Sequence, residues 1–338
     1  MSIRVARPGL LTTVQDLGRR GLQHLGIVPC GAMDPVSHRI ANALVGNPPA
    51  AATLECTVLG PEIVFLRDSL VALYGAAFNA RIGRDAFPLN RPVLVRTGAV
   101  LAVGNATRGA RGYLAIAGGF EAPTILGSRS TYLPAAFGGL GGRALKSGDV
   151  LASADRLTAV SARRFSRAAR KGSVSKPLFD SVRWSAPELT LPFGDAFAAR
   201  ALEGRHWDQF DTASQDAFFD ETWRVSPDSN RMGYRLGGPR LTRAKPVEIL
   251  SEPTCLGTVQ VPNDGTPIAL MADHQTTGGY AKIAEIASVD IPGLAQLAPG
   301  GRVRFLRVSL EDAQAAWRGA RERVMQVEQS VAWELGET

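Results

Sequence analysis

Glycine and proline interrupt this chain so densely that its apolar runs are short from one end to the other. The 338 residues include 36 glycines and 21 prolines, which separate runs rich in Val, Ile, Leu and Thr. Short apolar runs bounded by turn residues are typical of β-strands and leave little room for long helices. We therefore expect a mainly β protein with some α-helix, an α+β fold built from two β-rich parts.

Short strands are predicted along the whole chain. Because helices do not alternate regularly with them, a doubly wound parallel sheet is not expected. Many short strands with few helices favour a closed β-barrel, since closure removes the exposed strand edges. The predicted strands lie at residues 3–6, 10–14, 53–57, 63–66, 70–73, 92–95, 100–103, 113–117, 188–191, 222–225, 247–250, 258–261, 268–271 and 280–286.

Two of the predicted helices carry clear end signals. Asp34 is suited to cap the first helix, Pro35 to its first helical position and Gly46 to its left-handed exit. Ser309 is suited to cap the last helix, whose apolar residues recur every three or four positions. Two shorter helices are predicted at residues 214–219 and 292–297.

The net charge of +7 comes almost entirely from one segment. Residues 153–176 contain seven basic residues and one acid, so this Ser/Ala-rich stretch carries +6. Basic residues without interleaved aromatics are typical of a solvated linker or helix surface and do not indicate nucleic-acid binding. We predict an N-terminal β-rich domain at 1–155, a basic connector at 156–176, a C-terminal barrel domain at 177–308 and a C-terminal helix at 309–338.

The cysteines and the apolar segments bear on cellular location. Cys30, Cys56 and Cys255 are few, odd in number and widely spaced, so neither a disulfide framework nor a zinc site is expected. The first residues lack the apolar stretch of a signal peptide, and no apolar run reaches 18 residues. These observations predict a cytoplasmic protein that contains no metal site and does not enter a membrane.

A first polar cluster lies at residues 127–132. Arg129, Ser130 and Thr131 combine a guanidinium with hydroxyls and predict a site for an anion, a carboxylate or a phosphate. The alternative is a turn whose hydroxyls bond their own backbone. The glycine-rich run at 137–142 follows no buried strand, so it predicts close approach of a ligand to the backbone rather than a dinucleotide fingerprint.

A second polar cluster lies at residues 226–234. Its density of Asp, Ser and Asn predicts a loop tip. Asn230 and Arg231 are candidates to meet an acidic ligand group, and an ion pair between Arg231 and Asp228 is the alternative.

The third cluster follows a hairpin signal, Asn-Asp-Gly at 263–265. The next predicted strand opens into seven polar or glycine residues at 273–279, a composition that suits a site better than a core. Asp273 and His274 are predicted proton-transfer groups, and Lys282 is a predicted electrostatic stabiliser. The predicted substrate-binding residues here are Gln260, Asn263, Asp264, Gln275 and Thr276. The other histidines, His24, His38 and His206, are predicted to be structural.

Several ordered motifs together are similar to those of one family. They lie at residues 8–19, 31–34, 41–47, 54–55, 60–61, 128–132, 230–236, 251–253 and 273–280. Together they resemble the family of the 5-oxoprolinase C subunit, also named allophanate hydrolase subunit 2 or biotin-dependent carboxyltransferase. The same unit forms one half of the carboxyltransferase domain of urea carboxylase. The resemblance spans about residues 3–308 and leaves out the final helix.

The resemblance implies a fold, an activity and partners. The C-terminal part is expected to be a cyclophilin-like barrel. The chain is expected to act with the family's B subunit and a lactam-hydrolase A subunit in the ATP-dependent opening of 5-oxoproline to glutamate. One alternative is half of a carboxyltransferase that moves a carboxyl group from carboxybiotin to urea or a similar amide. A further alternative is a non-catalytic regulator that binds a kinase inhibitor resembling the B subunit.

Cofactors, if they are used, are expected to come from other chains. No methionine neighbours a lysine as in a biotin acceptor sequence, and no phosphate-binding GxxxxGK[ST] loop is present. ATP is therefore expected to act through the complex, and biotin, where used, to arrive on another protein.

Overall fold

The computed structural model describes residues 1–154, 159–170, 172–191, 194–245 and 247–336, and the chain divides into two units. Unit 1 comprises residues 1–18, 34–191 and 323–338, and unit 2 comprises residues 19–33 and 192–322. Each unit has its own apolar core.

Unit 1 contains two antiparallel sheets and two helices that precede the C-terminal helix. The elements are β1 (Ile3–Arg7), β2 (Leu11–Gln15), α1 (Pro35–Leu44), β3 (Thr53–Thr57), β4 (Glu62–Phe65), β5 (Ser69–Phe78), β6 (Arg81–Ile82), β7 (Asp85–Ala86), β8 (Val93–Val95), β9 (Val100–Ala102), β10 (Ala106–Ile116), β11 (Val150–Leu151), α2 (Ala159–Ala169), β12 (Ser173–Lys176) and β13 (Phe179–Val182). The sheet orders are β11-β1-β4-β9-β6-β7 and β12-β13-β8-β5-β10-β3-β2, and one apolar cluster takes side chains from both.

Helix α1 begins and ends where the sequence predicts. The Asp34 carboxylate accepts a hydrogen bond from the backbone N–H of Ser37 at 2.9 Å, and Gly46 adopts a φ of +70° after the last turn. His38 on this helix is fully buried, and its ring contacts Thr53 Oγ1 and the carbonyl of Pro49. Burial lowers the pKa of His38 to about 4, so the ring is neutral near pH 7 and holds α1 against β3.

Unit 2 is a closed seven-stranded barrel, which confirms the predicted fold class. The elements are β14 (Phe197–Glu203), α3 (Thr212–Asp220), β15 (Thr222–Val225), β16 (Gly233–Gly237), β17 (Glu252–Pro253), β18 (Thr258–Val261), β19 (Ile268–Leu270), β20 (Thr277–Gly278), β21 (Ala281–Ile286), α4 (Ile291–Ala295), β22 (Arg302–Arg307) and α5 (Leu310–Leu335), whose last residues belong to unit 1. The barrel order is β14-β21-β18-β19-β16-β15-β22, closed by a parallel pairing of β14 with β22. Strands β17 and β20 form a separate two-stranded ladder.

Aromatic packing fills the barrel. The rings of Phe218 and Phe305 stack with centroids 4.6 Å apart, and Trp223 is fully buried beside them. The Nε1–H of Trp223 donates to the carbonyl of Phe218 at 3.1 Å, so its one polar group is satisfied. This rigid interior fixes the strands that carry the polar residues described below.

Two predicted strands are wrong. At 188–191 the Ser37 and Thr190 hydroxyls are 2.9 Å apart, and the Tyr74 hydroxyl donates to Pro187, so side chains rather than a strand partner hold this stretch. At 247–250 the side chains of Val247 and Leu250 are 60% and 83% exposed, whereas Ile249 packs against the barrel core. The apolar pattern is present in both stretches, but no neighbouring strand among the described residues pairs with them.

The predicted basic connector, residues 156–176, contains regular structure in its described part. Helix α2 buries Phe165 and Ala168, and β12 pairs with β13, which pairs with β8. These pairings place residues up to Leu191 in unit 1 rather than with the barrel. Arg156 and Lys171 of the predicted connector lie outside the described residues. Within the described ranges, no helix is long and apolar enough to cross a membrane.

Candidate functional site

Polar side chains of unit 2 are buried on the side of strands β18 and β21 that faces away from the barrel core. Val259 and Val261 point into the core, whereas Gln260 between them is 1% exposed outside it. Lys282, which pairs with Gln260 across the two strands, is 5% exposed. Strands β17 and β20 supply the atoms that contact these side chains. We call the following set the polar layer: His206, Glu252, Thr254, Gln260, His274, Gln275 and Lys282.

A register shift brings Gln260 and Lys282 opposite each other. Val259 pairs with Ala284, but the next residue, Gln260, pairs with Lys282, so one extra residue of β21 lies between the two pairs. Such bulges re-aim side chains locally. Here the bulge places the lysine, instead of apolar Ile283, beside the glutamine.

Lys282 forms a buried ionic cluster. Its Nζ lies 2.8 Å from Glu252 Oε1 and donates to the carbonyl of Pro253 at 2.5 Å. The hydrogen bond from Lys282 lowers the pKa of Glu252. The Lys282 backbone N–H donates to His206 Nδ1 at 3.1 Å, so that nitrogen carries no proton. Burial lowers the pKa of His206, and its Nε2 lies 3.7 Å from Glu252 Oε1.

His274 is held as one defined neutral tautomer. Its Nδ1 lies 2.6 Å from the carbonyl oxygen of Gln275, which can only accept, so Nδ1 carries the proton. Nε2 makes no hydrogen bond within the described residues, and its lone pair remains available. Burial lowers the pKa of His274, although the Gln275 carbonyl and the Asp273 charge act in the opposite direction. A neutral imidazole with a fixed tautomer is suited to accept a proton.

Gln260 and Gln275 form an amide pair beneath Gly278. Gln275 Nε2 donates to Gln260 Oε1 at 3.1 Å, while the buried Nε2 of Gln260 has no partner among the described residues. The amide of Gln260 could also be placed with its oxygen and nitrogen exchanged. In that orientation the oxygen would be the unpaired atom, so the exchange does not satisfy the amide. A Cβ atom at Gly278 would lie 2.7 Å from Gln260 Nε2, so glycine lets the amide lie here without a shift. An unpaired buried amide costs about 1–3 kcal/mol, and the Gln260 Nε2 group is an available donor.

The proton-transfer role predicted for Asp273 does not fit the geometry. Asp273 is 1% exposed, and Arg231 Nε and Nη2 donate to its two oxygens at 2.9 and 3.0 Å. Arg231 Nη2 also donates to the carbonyl of Gly31 at 2.6 Å. This bidentate ion pair anchors the 19–33 segment to the barrel. Neither the ligand role predicted for Arg231 nor its alternative pairing with Asp228 fits the structure, because the guanidinium of Arg231 is paired with the carboxylate of Asp273.

Cys30 borders the same ion pair. It is a non-glycine residue with a φ of +55°, and burial together with the Asp273 charge raises its thiol pKa to about 12. The protonated thiol donates to Asp273. A thiol that remains protonated is a poor nucleophile, so a catalytic role for Cys30 is not supported.

The predicted anion site of unit 1 binds the chain's own carboxylate. The Ser128 and Ser130 hydroxyls both donate to Asp16 Oδ1 at 2.6 Å, and the Arg129 backbone N–H donates to Oδ2 at 2.6 Å. Burial alone would raise the pKa of Asp16, but these hydrogen bonds lower it overall. The Thr131 hydroxyl donates to the Val14 carbonyl, and Arg129 Nε donates to the Ala122 carbonyl. The 127–132 segment is thus held in place by Arg129, Ser130 and Thr131. This arrangement resembles the alternative prediction for the segment, a turn whose polar groups bond within the chain.

The remaining predicted site residues lie outside the polar layer or at its margin. Asn230, Asn263 and Asp264 lie on turns at the surface, where Asn230 Oδ1 accepts from the Met232 N–H and Asp264 Oδ1 accepts from the Thr266 N–H. Thr276 is half-buried, and its carbonyl accepts from the Thr254 N–H. These contacts stabilise turns and do not bring the side chains to Gln260.

Two glycines of the glycine-rich run of unit 1 are not open to a phosphate of ATP. A Cβ at Gly139 would lie 1.9 Å from Thr131 Oγ1, and one at Gly142 would lie 1.9 Å from the Ala136 carbonyl. These two glycines close onto the chain itself, whereas a Cβ at Gly141 would meet nothing within 4 Å. As for metals, no three His, Cys, Asp or Glu side chains within the described ranges form a group that could hold an ion.

Three members of the polar layer are not predicted from the sequence as site residues. Glu252 and Thr254 come from a segment without regular periodicity. His206 is predicted to be structural because, unlike His274, it does not stand directly beside a carboxylate in a glycine-flanked polar segment. Their partners lie 20 to 76 residues away along the chain. The motif at 251–253 is the available signal for Glu252.

Comparison with known proteins identifies a carboxyltransferase-domain protein. The family model described as carboxyltransferase domain, subdomain A and B, matches residues 25–307, so the chain belongs to this family. Its relatives include the C subunit of the 5-oxoprolinase of Escherichia coli K12, which is 40% identical over 98% of each chain. The urea amidolyase of Lachancea kluyveri is 32% identical over 93% of this chain, which spans 17% of that larger protein.

A solved structure shows the same architecture. The crystal structure of the urea carboxylase of Kluyveromyces lactis matches 98% of this chain with a TM-score of 0.85 and 31% sequence identity. The chain spans 29% of that protein. The named relatives are parts of enzymes, and this chain therefore belongs to an enzyme family.

Proposed function

We propose that this chain is the C subunit of a 5-oxoprolinase-type complex, which opens 5-oxoproline to glutamate with the help of ATP. The observation that carries the proposal is the 40% identity to the C subunit of the Escherichia coli 5-oxoprolinase over nearly the whole of both chains. A match over full length argues for the same place in a complex, whereas the urea amidolyases match over a small part of their length.

The polar layer supplies groups that suit lactam chemistry. The unpaired Nε2 of Gln260 is a donor for the lactam carbonyl, and the Gln275 amide beside it completes the receptor. The free Nε2 of His274 accepts a proton from the attacking water. Lys282 directs two of its three N–H groups at Glu252 and the Pro253 carbonyl, and the third stabilises the negative charge that develops on the carbonyl oxygen. Because the layer is closed in the isolated chain, the ladder of β17 and β20 has to move for the substrate to enter.

ATP belongs to the complex and not to this chain in the proposal. ATP supplies the activation of the amide, and no residue of the glycine-rich run is assigned to it. The proposed partners are a homologue of the 5-oxoprolinase B subunit and a lactam-hydrolase A subunit, which form a hetero-oligomer with this chain. The proposed location is the cytoplasm, where the reduced state of three unpaired cysteines is maintained.

A second candidate is supported by the urea amidolyase and urea carboxylase relatives. In this case the chain forms half of a carboxyltransferase that moves a carboxyl group from carboxybiotin to urea or a similar amide. The same amide pair would bind the acceptor, and biotin would arrive on another protein, since no lysine here neighbours a methionine.

Reconstitution distinguishes the two candidates. We expect the chain, mixed with purified A and B subunits from the same genome, to release glutamate from 5-oxoproline only when ATP and all three proteins are present. Avidin is expected to leave this activity unchanged. Glutamate release without the chain would contradict the proposal, whereas inhibition by avidin together with urea-dependent turnover would support the carboxyltransferase candidate.

A further inference from the structure

A cavity of about 410 Å³ lies between the end of helix α5 and residues 184–189, and every residue that lines it belongs to unit 1. Small-molecule sites typically measure about 300–1,000 Å³ and are mostly apolar. The volume and the lining of this cavity match that description. Its apolar lining consists of Trp184, Ala186, Pro187, Leu189, Val327 and Val331.

Both walls of the cavity are fixed by contacts outside it. On one side, the Ala186 N–H donates to the carbonyl of Asn90 at 2.8 Å, and the Tyr74 hydroxyl donates to the carbonyl of Pro187 at 2.6 Å. On the other side, Arg39 binds both carboxylate oxygens of Glu328 on α5 at 2.9 and 2.7 Å. A cavity with fixed walls binds its ligand without a further ordering cost.

The polar groups at the cavity include two hydrogen-bond donors without acceptors. The Nε1 of Trp184 is buried and has no partner within the described ranges, although buried donors are nearly always paired. Arg323 is exposed at the cavity and makes no hydrogen bond or ion pair with the described residues. The Ser330 hydroxyl already has an acceptor, since it donates to the Gln326 carbonyl at 2.8 Å.

We propose that this cavity binds a small amphipathic carboxylate. The apolar body of the ligand packs against Trp184, Leu189 and Val327, and its carboxylate pairs with the guanidinium of Arg323. The unpaired indole N–H of Trp184 donates to the same ligand. The acid Glu334 lies 11 residues beyond Arg323, about 16 Å along the helix, so it does not compete with the ligand for the guanidinium.

Calorimetry on the full chain tests the site with 4-phenylbutyrate as the probe. We expect binding with a Kd below about 1 mM and at least about tenfold weaker binding after Arg323→Gln, which removes the charge. Arg318→Gln, an exposed arginine on the same helix outside the cavity, is the matched control and should leave the affinity unchanged. The neutral analogue 4-phenylbutanamide is expected to bind as weakly as the probe binds to Arg323→Gln.

Filling the cavity provides an independent measurement. Val327→Trp places an indole in the cavity from one of its walls. Ser330→Trp places an indole there from an exposed position, where a larger side chain disturbs folding less. Both variants, checked for folding by circular dichroism, should lose detectable binding. Wild-type affinity in the folded Ser330→Trp variant, or no binding to the wild-type chain, would overturn the site, and equal binding of the amide would overturn the carboxylate assignment.

Discussion

Arg231→Met is expected to reduce the free energy of unfolding by about 3–5 kcal/mol, since it leaves the Asp273 carboxylate buried without a partner. Both side chains are almost completely buried, with 4% and 1% of their surfaces exposed, and the guanidinium also holds the Gly31 carbonyl. Removal of the arginine therefore removes the link between the barrel and the 19–33 segment as well as the charge balance. Urea unfolding followed by tryptophan fluorescence measures the loss.

An exposed ion pair of the same unit is the matched control. Arg240 and Asp264 are 67% and 58% exposed and 3.7 Å apart, so Arg240→Met should change the unfolding free energy by less than about 1 kcal/mol. The double variant Arg231→Met with Asp273→Leu should recover part of the loss, because it removes the unpaired charge. Equal small effects at Arg231 and Arg240 would show that the buried pair does not anchor the segment.

His274→Gln is expected to lower kcat of the reconstituted complex by about 10²- to 10⁴-fold, the usual contribution of a general base. Glutamine keeps a polar group near the Gln275 carbonyl but has no basic nitrogen. Since burial lowers the pKa of His274, wild-type activity should persist below pH 6.5 and decline only as the pH falls through that lowered pKa.

The exposed histidine provides the control for this prediction. His24→Gln should retain wild-type kcat and the wild-type pH profile, because the side chain of His24 is exposed and outside the polar layer. A folded His274→Gln protein with unchanged kcat would remove the imidazole from the mechanism and leave it a structural role only.

Local signals in the sequence are sufficient to predict much of the fold. Strands β3 and β18 lie at the predicted residues, and α1 begins after its predicted cap. These elements depend on periodicity and end residues that are close together along the chain. Strand β10 is longer than predicted, from Ala106 to Ile116, because its glycines break the apolar pattern while the pairing with β5 resumes across two register shifts.

The site is predicted less completely because its chemistry depends on pairing between distant residues. The sequence predicts Gln260, His274, Gln275 and Lys282 in one functional cluster, and the structure brings them together. The sequence does not show that Arg231 neutralises Asp273 from 42 residues away, or that Asp16 occupies the predicted anion site. Residue type suggests the chemistry, but only the three-dimensional contacts show which charges are already used.

In the proposed function the amide of Gln260 is unpaired because the substrate is its partner. Gln260→Leu tests this role when the unfolding free energy of the variant chain and kcat/KM of its reconstituted complex for 5-oxoproline are both measured. Loss of an unsatisfied buried amide should leave stability equal to or above wild type, while kcat/KM falls at least about tenfold. Gln209→Leu, whose buried Oε1 is unpaired outside the polar layer, should leave kcat/KM unchanged. Unchanged kcat/KM in a folded Gln260→Leu protein would contradict the account.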